Sequence, residues 1–156
     1  MFIRLLGEEN AALTCTAKHP FSDVPGWADR YVAYAYEQGY SNGAGGNQFA
    51  SARIITAKEY VDFVMRALRY SSTDHTDLST TLGDAKNVGL LTAGEYDLMN
   101  SATLLRAHLV YVSFYALSTP VAGNSTALEQ QLVSQGVFSQ AALDNAHNMV
   151  KTTRLT

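Results

Sequence analysis

The chain has little of the chemistry on which disulfide scaffolds and nucleic-acid binders depend. Its 156 residues include one cysteine, three prolines and only 16% charged residues, with a formal net charge of −3. A single cysteine, Cys15, excludes an internal disulfide. The slight negative charge offers no basic stripe of the kind that binds nucleic acid. A charged fraction this low is unusual for a cytosolic domain.

Long apolar runs are also missing. A membrane-spanning helix needs about 20 apolar residues, whereas the richest stretch, 104–117, is shorter and contains Arg106 and His108. The first ten residues lack the basic start and apolar stretch of a secretory signal, so if the protein is secreted, its signal peptide is expected upstream of Met1. With 47% hydrophobic residues, the chain still has enough apolar side chains for a compact core.

Residue patterns for catalysis or metal binding are equally scarce. The four histidines stand outside any H-E-x-x-H pattern, and the glycine-rich loop 39–49 lacks the Gly-Lys-Ser/Thr of a phosphate loop. Asp74, His75 and Asp77 have side chains that bind metals, but their Ser/Thr-rich surroundings favour a solvated loop. We therefore expect a protein that is not an enzyme and that needs neither a cofactor nor a metal.

Helix signals dominate the rest of the chain. Thr56 and Glu59, and again Thr92 and Glu95, are spaced as capping boxes. Glycines predict helix ends at positions 39, 89 and 136. The stretch 104–117 is rich in strand-forming residues, but its place in the repeat described below favours a helix. Two apolar helix faces are predicted, one comprising Trp27, Tyr31, Tyr34 and Ala35, the other Tyr60, Phe63, Val64, Ala67 and Leu68. The last six residues are expected to fray.

Two landmarks recur at intervals of about 50 residues, a period typical of repeat proteins. Gly39 and Gly89 are 50 residues apart, and Leu68 and Leu117 are 49 apart. The predicted fold class is all-α, with imperfect helix–loop–helix repeats packed as one compact array. The expected divisions are the tail of a truncated preceding repeat (1–16), a complete repeat (20–70), a degenerate repeat (71–119) and a C-terminal helical segment (120–156).

The complete repeat resembles the S-layer homology (SLH) module of bacterial surface proteins. The family pattern is an F-x-D-V turn, a Trp-Ala helix start and an I-T-R-A-E ending. In the same order this chain has Phe21-Ser22-Asp23-Val24-Pro25, Trp27-Ala28 and Ile55-Thr56-Ala57-Lys58-Glu59. The match covers 20–70 well and 71–119 weakly.

The resemblance implies a secreted, non-catalytic module that anchors its parent protein to the bacterial cell wall. Such modules bind an anionic, pyruvylated wall polysaccharide and pack against neighbouring repeats. The glycan-binding positions that match are Asp23 and Trp27. The Arg of T-R-A-E is Ala57 in the first repeat, but it is retained as Arg106 in the second. The alternative is a degenerate interaction module that has lost glycan binding, in which the aromatic residues serve only as core.

Overall fold

The computed structural model describes residues 2–72, 77–101 and 103–156. Within these ranges the chain is helical and contains no strand, so the predicted all-α fold class is confirmed. The stretch around 104–117, where a strand was the alternative, is a helix. The helices are α1 (Phe2–Leu5), α2 (Glu9–Thr14), α3 (Asp29–Glu37), α4 (Ala57–Ala67), α5 (Thr81–Asn87), α6 (Ala93–Ser101), α7 (Arg106–Leu117), α8 (Leu128–Ser134) and α9 (Gln140–Met149).

Both predicted capping boxes begin a helix. At α4, the Glu59 N–H donates to Thr56 Oγ1 at 3.3 Å, and Glu59 Oε2 accepts the Thr56 N–H at 2.8 Å. At α6, the same two bonds join Thr92 and Glu95 at 3.2 Å and 2.8 Å. Each box satisfies two of the N–H groups that a helix start leaves without a partner.

The predicted glycine stops are confirmed at the ends of α3, α5 and α8. Gly39, Gly89 and Gly136 have φ values of 70°, 80° and 73°. This left-handed conformation is open to glycine and costly for a residue with a Cβ atom. After Gly39, the Tyr40 N–H reaches back to the Ala35 carbonyl at 2.8 Å, which closes the last turn.

The main core surrounds α4, which packs against α5, α6 and α7. The predicted face of α4 is partly wrong, because Phe63 is only half-buried whereas Val61 and Met65 are fully buried. The apolar surface of α4 is wider than one stripe because α4 has neighbours on several sides. Its buried apolar residues are Ala57, Tyr60, Val61, Val64, Met65 and Ala67, and Leu68 at its C-terminus is buried with them.

A smaller cluster joins the turn before α3 to the loop that follows it. Phe21, Ala28 and Val32 form its buried centre. The prediction that Trp27 lies on the apolar face of this helix is wrong, since the Trp27 side chain is 82% exposed. α3 begins only at Asp29, so Trp27 lies in the preceding turn, where helical periodicity does not decide which way a side chain faces.

Two further features differ from expectation. α2 (Glu9–Thr14) is unpredicted, because it is short and buries only Ala12. The last six residues do not fray. Arg154 in this segment forms an ion pair with the buried Glu95 at 2.6 Å, so the C-terminal segment is part of the packed structure.

Candidate functional site

Asp23 connects the turn before α3 to the long loop that precedes α4. Its carboxylate accepts two backbone N–H groups, from Phe49 at Oδ1 and from Ala50 at Oδ2, each at 2.7 Å. The Phe49 N–H is the largest of the causes that hold the Asp23 pKa below its ordinary value. The backbone carbonyl of Asp23 also accepts a hydrogen bond from the Ser51 hydroxyl at 2.7 Å. Asp23 therefore determines the conformation of the loop, because both carboxylate oxygens are engaged by it.

The loop held by Asp23 has unusual backbone geometry. Ala50 and Asn47 adopt positive φ values of 62° and 57°, a conformation that costs a residue with a Cβ atom about 1 to 2 kcal/mol. The hydrogen bond from the Ala50 N–H to Asp23 compensates for part of that cost. The sequence resemblance predicts a ligand groove at Asp23, whereas the contacts observed for its carboxylate are those that hold the loop.

One wall of a cavity of about 430 Å³ is formed by this loop, and the other by α4. Two arginines line the cavity, and both are paired with carboxylates. Arg53 lies 2.5 Å from Glu59, and Arg66 lies 2.6 Å from Asp62. Ala57, which stands at the family's Arg position, is buried in the core. Sequence reasoning missed Arg53 and Arg66, because neither lies at a motif position.

Trp27 lies at a second cavity, of about 580 Å³. The indole is 82% exposed although it lines this space. Aromatic rings form much of the cavity wall, and two of them, Phe2 and Phe63, have ring centroids 5.8 Å apart. The aromatic residues lining this cavity are Phe2, Trp27, Tyr31, Tyr40, Phe49, Tyr60 and Phe63. An exposed indole beside an aromatic cavity provides flat apolar surface next to solvent.

Arg106 is the first residue of α7 and is exposed. Its side chain forms no hydrogen bond or ion pair with any residue in the described part of the chain. A cation at a helix N-terminus is disfavoured by the macrodipole, by about 0.3 to 1 kcal/mol. Leu109, one turn further along the same helix face, lines the cavity of Trp27. Trp27 and the first turn of α7 therefore border the same cavity.

The three predicted glycan-binding residues do not form one cluster of side chains. Trp27 lines the 580 Å³ cavity, whereas Arg106 is not among its lining residues and reaches it only through Leu109, one turn further along α7. Asp23 faces the backbone of the loop. Phe49 links the two places, because its N–H binds Asp23 while Phe49 also lines both cavities.

The possible metal ligands Asp74 and His75 lie outside the described residues. Asp77 Oδ1 accepts the Ser79 N–H at 2.9 Å, an ordinary turn contact. Among the described residues, no three side chains of His, Cys, Asp or Glu come together as a metal site would require. In the same part of the chain, no helix combines the length and apolar character that crossing a bilayer requires.

Comparison with known proteins does not extend these observations. The chain matches no protein-family model, and neither a curated protein nor a solved structure matches it significantly.

Proposed function

We propose that this chain is a non-catalytic module of a secreted bacterial surface protein, and that it anchors its parent to an anionic, pyruvylated cell-wall polysaccharide. The observation that carries the proposal is the position of Trp27, exposed beside an aromatic cavity of about 580 Å³. Sugar rings present apolar faces that stack on such surfaces. Arg106, exposed and without a carboxylate partner among the described residues, supplies a planar donor for a sugar-borne carboxylate.

Recurring backbone geometry supports the SLH-like repeat arrangement as part of this proposal. The N–H groups of Tyr40 and Leu90, which follow Gly39 and Gly89, donate to the carbonyls of Ala35 and Ala85 at 2.8 Å and 2.9 Å. The corresponding residues, Ala35 and Ala85, Gly39 and Gly89, and Tyr40 and Leu90, are each 50 residues apart. This helix end therefore recurs at a spacing of 50 residues, and the same backbone bond also follows Gly7, Arg69 and Gly136.

The helix starts recur as well. α4 follows Thr56 and α7 follows Leu105, 49 residues later. In both, the backbone N–H of the residue before the helix donates to a side chain three positions on, to Glu59 at 2.8 Å and to His108 Nδ1 at 3.2 Å. α4 and α7 pack together, as equivalent helices of adjacent repeats would.

The alternative function is an interaction module that has lost glycan binding. The geometry of Asp23 favours it, because both oxygens of that carboxylate are already bonded to the loop. In that case the aromatic cavity serves packing against another part of the parent protein.

Titration of the chain with purified pyruvylated wall polysaccharide, followed by calorimetry, tests the proposal. Trp27→Ala should weaken binding about tenfold or more, as expected for the loss of an exposed aromatic anchor. Ile54→Ala is the matched control, since Ile54 is 85% exposed and does not line the Trp27 cavity. Equal affinities of the two variants would remove Trp27 from the site.

A second pair of variants tests Arg106. Arg106→Lys keeps the charge but loses the two-pronged donor geometry, so it should weaken binding without changing the melting temperature. Arg69→Lys, at another exposed arginine, should have no effect. Polysaccharide stripped of its pyruvyl groups should bind wild type and Arg106→Lys equally. If wild type binds neither form of the polysaccharide, the interaction module is the better account.

A further inference from the structure

The last six residues, 151–156, are not helical and lie against α6 and α7, where Arg154 holds them. The Arg154 guanidinium donates to Glu95 Oε1 through Nε at 2.9 Å and to Glu95 Oε2 through Nη2 at 2.6 Å. Nη2 also donates to the Leu90 carbonyl at 2.8 Å. This is a two-pronged arginine–carboxylate contact, the geometry that gives such pairs their specificity.

Glu95, which receives the arginine, is 1% exposed. Besides Arg154, its carboxylate accepts the Tyr111 hydroxyl at 2.9 Å and the Thr92 N–H at 2.8 Å. Four donors therefore surround the two oxygens, two from Arg154 and two, Thr92 and Tyr111, from the region of α6 and α7. A carboxylate buried to this degree strongly favours an accompanying cation.

The backbone of the segment is bound as well as the arginine. The Tyr111 hydroxyl accepts the Leu155 N–H at 2.9 Å, and the Tyr115 hydroxyl donates to the Thr152 carbonyl at 3.1 Å. The Thr92 hydroxyl donates to the Leu155 carbonyl. The Arg154 guanidinium lies 4.7 Å from the centroid of the Tyr115 ring, a cation–π distance. Backbone bonds combined with one side-chain pocket are the usual features of a peptide-binding site.

Gly94, in the first turn of α6, lets the end of the segment approach the helix closely. A Cβ atom at this position would lie 2.6 Å from the Thr156 carbonyl oxygen, closer than packed atoms allow. The site is therefore shaped for the backbone of the segment as well as charged for its arginine.

The helix that leads into this segment is only lightly packed against the rest of the protein. α9, which leads into it, buries only Leu143. The residues that bind the segment belong to the stretch 90–115, outside α9. The segment thus reaches its site as a separate ligand would, delivered by a lightly packed helix.

We propose that Glu95, Tyr111 and Tyr115 form a binding site for an arginine-bearing peptide segment, which residues 151–156 of the chain itself occupy. The same site accepts an equivalent segment from another chain when its own arginine is absent. This inference is independent of glycan binding.

The test uses the full-length Arg154→Ala variant and a synthetic peptide with the sequence of residues 151–156. The peptide, added at up to about 1 mM, should shift the amide signals of Gly94 and Leu90 in the NMR spectrum of the variant. Wild type should bind it at least tenfold more weakly, since a short tether gives its own segment an effective concentration of about millimolar. A peptide with lysine in place of arginine should bind less well.

The control is the double variant Glu95→Gln with Arg154→Ala, which should bind no peptide. Circular dichroism establishes that each variant is folded. If Arg154→Ala is unfolded, Arg154→Lys replaces it. Lysine keeps a positive charge beside Glu95 but cannot form the two-pronged contact, so that contact remains available to the arginine of the peptide. A folded variant that fails to bind the peptide would overturn the proposal.

Mixing two full-length variants identifies the source of the segment. Arg154→Ala has an intact site and a defective segment, whereas Glu95→Gln has the reverse. A complex that forms only in the mixture, measured by sedimentation velocity, supports exchange between copies. Peptide binding together with a monomeric mixture supports the chain's own segment as the occupant. Failure of the folded variant to bind the peptide contradicts the binding site, whatever the mixture shows.

Discussion

Leu68 offers the sharpest test of the core, because its side chain is completely buried where α4 meets the segment after α7. Its exposure is 0%, and its carbonyl accepts the Ala122 N–H at 2.8 Å. Leu68→Ala keeps the backbone bond but removes three carbon atoms from the centre of the main cluster. The substitution therefore isolates packing from hydrogen bonding.

The magnitude follows from transfer and cavity terms. Three buried methylene-sized groups at about 0.8 kcal/mol each give about 2.4 kcal/mol. The space that they leave adds to this, so that buried Leu→Ala changes cost about 2 to 5 kcal/mol in total. A domain of this size is stable by about 5 to 15 kcal/mol, so Leu68→Ala should remove a large share of the free energy of unfolding.

Urea denaturation followed by circular dichroism measures this loss. Leu105→Ala is the control, because Leu105 is 56% exposed and its contact with His108 uses the backbone N–H alone. We expect the control to change the free energy of unfolding by less than about 0.5 kcal/mol. A loss below about 1 kcal/mol for Leu68→Ala, with an unchanged dependence on urea, would refute the assignment of α4 as the centre of the core.

Two further predictions concern carboxylates. Burial alone raises the Glu95 pKa, but the Arg154 guanidinium, the Thr92 N–H and the Tyr111 hydroxyl together lower it below its ordinary value of 4.5. Glu95 therefore stabilises the fold above pH 4.5, and this contribution is lost as the pH falls through the lowered pKa. The melting temperatures of wild type and Glu95→Gln should accordingly converge in acid, and a constant difference would contradict this. Asp23→Asn should accelerate hydrogen exchange at the Phe49 and Ala50 amides, and unchanged rates would show that Asp23 does not hold the loop.

The predictable parts of the fold were those whose signals are local. Thr56 and Glu59 are three residues apart, and a capping box depends on that spacing alone. Gly39 ends α3 through its own backbone conformation. Such features can be recognised without knowledge of the tertiary structure.

Features that depend on distant partners could not be predicted in the same way. Asp23 bonds to residues 26 and 27 positions away, and no property of its turn indicates them. Trp27 precedes α3, so helical periodicity could not decide between core and solvent. Ala57 stands where the SLH pattern has Arg, and only the packing of α4 shows that Ala57 faces the core.

The two capping-box glutamates show how burial determines the need for a partner. Both lie at helix N-termini, where the macrodipole and backbone N–H groups favour a carboxylate. Glu59 is partly exposed, and water and the exposed Arg53, six residues away, complete its surroundings. Glu95 has no such access to water. Its partner is Arg154, 59 residues away in the sequence, which donates two hydrogen bonds to the Glu95 carboxylate.

Exposed ion pairs contribute little to stability, so Arg53→Ala should leave thermal stability nearly unchanged. Arg154→Ala leaves a buried charge without its cation, and breaking such pairs costs up to about 3 to 5 kcal/mol. Equal melting temperatures of the two variants would show that Glu95 does not depend on Arg154.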